Sequence, residues 1–75
     1  MKYTDLFVTP CYDKGIERVN NDGKTEICEG YFCEVYTDEE LTNRIDYFCL
    51  AVGYEIPDMT EESLDKGIRE YLGCE

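Results

Sequence analysis

Histidine and tryptophan are both absent from the 75 residues. Without histidine the chain has no side chain that titrates near neutrality unperturbed, and it lacks the commonest general base and transition-metal ligand. A Ser-His-Asp triad and a Cys-His pair are excluded within it. Long apolar runs are missing too. The longest, from Tyr47 to Val52, is six residues, far short of the ~20 a membrane-spanning helix needs. The start, Met1-Lys2-Tyr3-Thr4-Asp5, has no apolar segment of the kind a secretory signal carries. Basic residues are few: seven Lys and Arg against eighteen Asp and Glu, for a net charge of −11. Direct nucleic-acid binding needs clustered cations to neutralise phosphates, and an anionic membrane surface would repel this chain. The same charge favours a basic protein partner.

The chain does hold five cysteines, Cys11, Cys28, Cys33, Cys49 and Cys74. No Cys-x-x-Cys pair occurs, so neither a thioredoxin-like motif nor a zinc knuckle is present. The odd count with no secretory signal argues against a disulfide framework. Reduced, packed thiols are the main reading, with a disulfide and a metal site as the alternatives. No cofactor, metal or catalytic residue is assigned. Seven tyrosines and three phenylalanines supply the aromatic bulk. The composition, 43% apolar and 33% charged, fits one small folded domain over residues 1–75. A domain of this size buries only about 60% of its unfolded surface, so a homodimer or a partner would cover leftover apolar area.

Residues 3–8 read as a short strand or a helical turn, and Pro10 biases Thr9 away from helix. Strands follow at 15–19 and 24–28, joined by Asn20-Asn21-Asp22-Gly23, a turn sequence in which Gly23 takes positive φ without penalty. In the three-residue-loop register Arg18 faces Glu26; a two-residue turn would shift the pairing. Glu29-Gly30 reads as a second tight turn. Tyr31-Phe32-Cys33-Glu34-Val35-Tyr36 is a strand, with Tyr31, Cys33 and Val35 on the core side because Glu34 must reach water.

Residues 38–52 read as a helix. Thr37 and Glu40 form a capping box, Asp38, Glu39 and Glu40 match the helix dipole, and Leu41, Ile45, Phe48, Cys49 and Val52 form a stripe ending at Gly53. A strand at 44–52 is the rival, because Ile45-Asp46-Tyr47-Phe48-Cys49-Leu50 tolerates β structure. A connection anchored by Ile56 leads to a last helix, capped by Thr60 and closed by Gly73, with Leu64, Ile68, Tyr71 and Leu72 as its stripe. Gly67 in mid-helix fits a close crossing of another element, or plain tolerance on a solvent face. Two acid-first pairs, Glu62 with Lys66 and Asp65 with Arg69, lie at i,i+4. The expected fold class is α+β: a three-stranded antiparallel β-meander followed by two α-helices packed on one face.

Residues 38–75 hold eleven acids against three bases. The candidate partner-binding residues are Asp38, Glu39, Glu40, Glu55, Asp58, Glu61 and Glu62. Spaced carboxylates of this kind can stand in for phosphates on a basic groove and raise the association rate. Ordinary helix-start chemistry also accounts for several of them, and no EF-hand spacing occurs for calcium. Tyr36, Tyr47 and Tyr54 fall outside the main stripes, where tyrosine serves interfaces.

The stretch Ile16-Glu17-Arg18-Val19-Asn20-Asn21-Asp22-Gly23 resembles a strand and turn in small acidic Cas9-inhibiting anti-CRISPR proteins. Their order, three strands and then two helices, is similar to the order expected here. The resemblance covers about eight residues of the chain, and the N-terminal helix of those proteins has no counterpart. It implies an inhibitor that occupies the DNA-binding region of its target with acidic residues, and it transfers no individual residue. The expected function is a non-enzymatic, cytoplasmic interaction module, of the kind a phage or mobile element carries, that occludes a basic nucleic-acid-binding site of a partner protein. The alternative is a small structural or regulatory domain that self-associates through apolar surface.

Overall fold

The computed structural model describes residues 5–73. Three antiparallel strands, β1 (Phe7–Val19), β2 (Thr25–Tyr36) and β3 (Arg44–Ala51), form one sheet in the order β1-β2-β3. One helix, α1 (Glu61–Leu72), follows. The fold is α+β, but the expected pair of helices is overturned: residues 44–51 are the third strand, and the described residues contain a single helix. The meander is correspondingly displaced. Its first two strands are longer than the sequence implies, and Glu29-Gly30 is not a turn but the middle of β2.

β1 pairs with β2 from Phe7↔Tyr36 to Val19↔Thr25, with a bulge between Asp13 and Ile16. The Asn20 side chain accepts from the Asp22 and Lys24 amides at 2.9 and 3.1 Å, and Gly23 has φ +78°. This turn fixes the Arg18↔Glu26 register that the longer loop implies. The region expected at residues 3–8 becomes strand from Phe7 onward, and residues 1–4 lie outside the described residues.

Gly30 shows why β2 continues through the expected turn. A Cβ there would overlap the Leu50 carbonyl and lie 2.9 Å from Ala51 Cα. Glycine here answers to a close approach of β3, not to a tight bend. β3 pairs with β2 only from Gly30 to Tyr36, so the β1–β2 hairpin extends beyond it as an arm. The radius of gyration is 13.0 Å and the longest dimension 40 Å. A compact chain of this length would have a radius near ~11 Å, and the projecting hairpin accounts for the excess.

One side of the sheet carries the core. Cys33, Val35, Phe48, Leu50, Ile56 and Ile68 form a buried cluster, with Leu6, Val8, Tyr31, Val52, Leu64 and Leu72 packed against it. Tyr31, Cys33 and Val35 therefore lie on the core side, as their alternation with Glu34 requires. Burial pushes the Cys33 thiol up to about 11. Cys11, Cys28, Cys33 and Cys49 are free thiols, and Cys74 lies outside the described residues.

The helix α1 starts and stops where the sequence implies. Thr60 Oγ1 accepts from the Ser63 amide at 3.2 Å, and Gly73 closes it with φ +70°. Its midpoint glycine meets the sheet: a Cβ on Gly67 would lie 2.6 Å from Ile56 Cγ2 and 3.3 Å from Leu50 Cδ1. A close crossing is thus the reason for glycine. Arg69 pairs with Asp65 at 2.8 Å as expected, whereas Lys66 Nζ lies 4.0 Å from Glu70, one turn after it, and not against the expected partner Glu62, one turn before it.

Candidate interaction surface

The seven candidate carboxylates fall into three local settings. Asp38, Glu39 and Glu40 lie in the loop between β2 and β3. Asp38 accepts from the Thr42 and Asn43 amides at 3.1 and 2.9 Å and from the Thr42 hydroxyl. The Thr42 hydroxyl and then the Asn43 amide hold the Asp38 carboxyl below its ordinary value. Thr37, expected to cap a helix, instead donates its amide to the Asn43 carbonyl and accepts from the Asn43 side chain. Leu41 sits in the left-handed region at φ +59°. Thr37 and Asp38 thus supply the polar caps of a hairpin loop and not of a helix.

Glu55 lies past the other end of β3, which is about 23 Å long from its eight residues. It is committed to Arg18: the guanidinium Nε donates to Glu55 Oε1 at 2.6 Å, and Nη2 donates to the same oxygen. Nη2 also donates to the Cys49 carbonyl at 3.0 Å, and the Ala51 amide donates to Glu55 Oε2 at 3.1 Å. Arg18 therefore reaches across from the hairpin arm and ties it to the turn after β3. Glu55 holds the guanidinium even more firmly protonated than usual. No periodicity argument finds this pair, because its partners are 37 positions apart.

Asp58, Glu61 and Glu62 surround the start of α1. Asp58 accepts from the Thr60 amide at 3.0 Å and its hydroxyl at 2.6 Å. Hydrogen bonding from Ser63 first, and then from Thr60, keeps its carboxyl below the ordinary value. Glu61 and Glu62 are exposed. Asp38, Glu55 and Asp58 thus hold the fold together locally, and Glu39, Glu40, Glu61 and Glu62 are the members left facing solvent.

The remaining surface has two notable parts. The side of the sheet away from α1 bears the cross-strand rows Phe7–Tyr36–Arg44, Thr9–Glu34–Tyr47 and Cys11–Phe32–Cys49. Phe32 and Tyr47 have ring centroids 6.0 Å apart, and Arg44 pairs with Glu34 at 2.7 Å while lying 4.9 Å over the Tyr47 ring. Two open grooves flank the helix. One of about 210 Å³ is lined by Val8, Pro10, Glu61, Leu64, Asp65 and Ile68. The other, about 340 Å³, is lined by Leu50, Tyr54, Glu55, Gly67, Glu70 and Tyr71.

Both sheet edges are obstructed. On β3 the Tyr47 amide donates to Asp46 at 2.8 Å, the Cys49 carbonyl is taken by Arg18 and the Ala51 amide by Glu55. On β1, Pro10 lacks an amide donor and a bulge follows at Asp13. Both are devices that discourage addition of a further strand. Among the described residues no group of three or more His, Cys, Asp or Glu converges to hold a metal ion. No helix of the described residues is long and apolar enough to cross a membrane. No protein-family model matches the chain, and neither a curated protein nor a solved structure is found to be similar to it.

Proposed function

We propose that this chain is a non-enzymatic acidic interaction module that docks on the basic nucleic-acid-binding surface of a partner protein and occludes it. The supporting observation is the distribution of its charge. No charged side chain is among the buried residues. Of the six described basic residues, Arg18, Arg44 and Arg69 each pair with an acid of the same chain, and Lys66 lies loosely at 4.0 Å from Glu70. Internal pairing therefore uses up cations and leaves the acidic surplus facing water. Such a surface attracts a basic partner over a Debye length, about 8–10 Å at physiological salt. A sterically blocking inhibitor from a phage or mobile element, of the kind the anti-CRISPR resemblance implies, fits this chemistry.

The test captures host proteins on the immobilised chain at low and high salt and challenges the captured complex with duplex DNA or RNA. The expected result is a partner that both salt and nucleic acid release. A complex indifferent to both contradicts the reading. A second reading, self-association, is favoured by the aromatic sheet side that α1 leaves uncovered. That patch, three strands by about seven residues, spans on the order of 300 Å². A standard interface buries about 800 Å² per partner, so the patch alone is too small for a stable dimer. Light scattering that shows a salt-insensitive dimer would favour self-association over partner docking.

A further inference from the structure

The larger groove combines features that select a cation of one shape. Tyr71 stacks one ring face on Phe48, with centroids 3.8 Å apart and planes at 19°, yet the residue remains 51% exposed. Its second face therefore looks outward. Glu70 lines the same groove with a carboxylate, the Glu55 carboxylate there is already held by Arg18, and Tyr54 supplies a second ring. Lys66, at 4.0 Å from Glu70 with both side chains largely exposed, is a loose partner. Gly67 keeps the floor low.

The protein shows elsewhere what such a set of groups holds. Arg44 lies over Tyr47 with its guanidinium carbon 4.9 Å from the ring centroid, and the same guanidinium pairs with Glu34 at 2.7 Å. Tyr71 and Glu70 likewise bring a tyrosine and a carboxylate to the border of one groove. A planar guanidinium stacks on a ring and donates to a carboxylate at once, which a compact ammonium does less well.

We infer that this groove receives an arginine side chain of the partner, stacked on the outer face of Tyr71 and hydrogen-bonded to Glu70. The inference rests on the acidic-docking reading and assigns its anchor point. The groove is large enough at about 340 Å³ to admit an extended side chain. It is also separate from the exposed acids Glu39 and Glu40 of the β2–β3 loop, so general attraction and specific anchoring use different residues.

The experiment titrates the full chain with an oligoarginine peptide at low salt, following amide and tyrosine ring signals by NMR. The expected result is that shifts concentrate on Gly67, Tyr54 and Tyr71. Glu70→Gln should weaken binding roughly two- to fivefold, and the control Glu39→Gln, which removes the same charge elsewhere, by less than twofold. Oligolysine of equal length should bind several-fold more weakly than oligoarginine. Equal losses from Glu70→Gln and Glu39→Gln, or equal binding of the two peptides, would overturn the groove assignment while leaving the acidic-docking reading intact. Loss of salt and nucleic-acid sensitivity in the capture experiment would instead remove the docking reading itself. Glu70 is exposed, so Glu70→Gln should fold; an unchanged melting temperature verifies that its effect is on binding.

Discussion

Two stretches of this chain open alike and fold differently. Thr37 precedes Asp38, Glu39 and Glu40, and Thr60 precedes Glu61 and Glu62. Both offer a hydroxyl cap and negative charge suited to a helix N-terminus. Only Thr60 starts a helix; Thr37 starts a hairpin loop leading to β3. The difference lies downstream. After Thr60 the apolar residues Leu64, Ile68, Tyr71 and Leu72 recur at helical spacing among good helix formers. After Thr37 comes a run of β-branched and aromatic residues, in which Phe48 and Leu50 are both buried. Two residues apart on a helix they would point about 200° apart. On a strand they share one face, opposite Cys33 and Tyr31 of β2. A capping signature reports local demand for hydrogen bonds, and the burial pattern beyond it decides what is capped.

The strongest way to break this comparison is to test the two-residue period of β3. Leu50→Ala should cost about 2–5 kcal/mol, while Tyr47→Ala, at a position 58% exposed, should cost less than about 1 kcal/mol. Comparable losses in urea unfolding at the two sites would contradict the strand.

For the helical stretch, the sharper probe is Gly67→Ala. Helix propensity alone gains about 1 kcal/mol. The added Cβ meets Ile56 and Leu50, and overpacking of this kind costs about 1–3 kcal/mol. A net loss of about 1 kcal/mol is expected; a net gain in thermal or urea denaturation would place the crossing further away.

Removing each cap separates the two loops. Thr60→Ala and Asp38→Ala should each cost about 1 kcal/mol. Hydrogen exchange should quicken at Ser63 in the first variant, and at Thr42 and Asn43 in the second, with little crossover. Leu41→Gly is a smaller test of opposite sign. It removes left-handed strain at φ +59°, worth about 1–2 kcal/mol, against a glycine entropy cost of about 0.5–1 kcal/mol. A gain of about 0.5 kcal/mol is expected, whereas a helix at 38–52 would lose stability.

The smallest effect concerns pH. The Asp38 and Asp58 carboxyls titrate below their ordinary value of 3.8 in the folded chain. Each ionised carboxylate therefore favours folding above that pH, and the contribution is lost as pH falls through the lowered folded value. Asp38→Asn and Asp58→Asn should both flatten the acid limb of the stability curve below about pH 4. An unchanged acid limb in either variant would show that its loop bonds do not require the ionised form.

Sequence reading reached the residues whose partners are close along the chain. The Asn20 to Gly23 turn, the core alternation of Tyr31, Cys33 and Val35, and the capped terminal helix all follow from local chemistry, whereas of the two hairpin registers left open the structure takes Arg18↔Glu26. The choice between helix and strand at residues 44–51 did not, because the two readings differ in which distant surface receives Phe48 and Leu50. The same holds for Gly30, which looks like a turn residue until β3 is placed beside it. Of the candidate site, the acidic surplus was visible in the composition. The commitment of Glu55 to Arg18, and the meeting of Tyr54 with Tyr71 in one groove, became visible only when β3, its following turn and α1 were assembled.

Composition and local pattern alone determined an acidic α+β domain without histidine chemistry, a defined hairpin turn and a C-terminal helix with both ends capped. Tertiary structure decided that the described residues form three strands and one helix, which carboxylates are spent on the fold, and where aromatic rings and acids converge. The physical reason is range. Caps, turns and periodicity act over a few residues, whereas strand pairing and groove formation depend on contacts whose sequence separation no local pattern encodes.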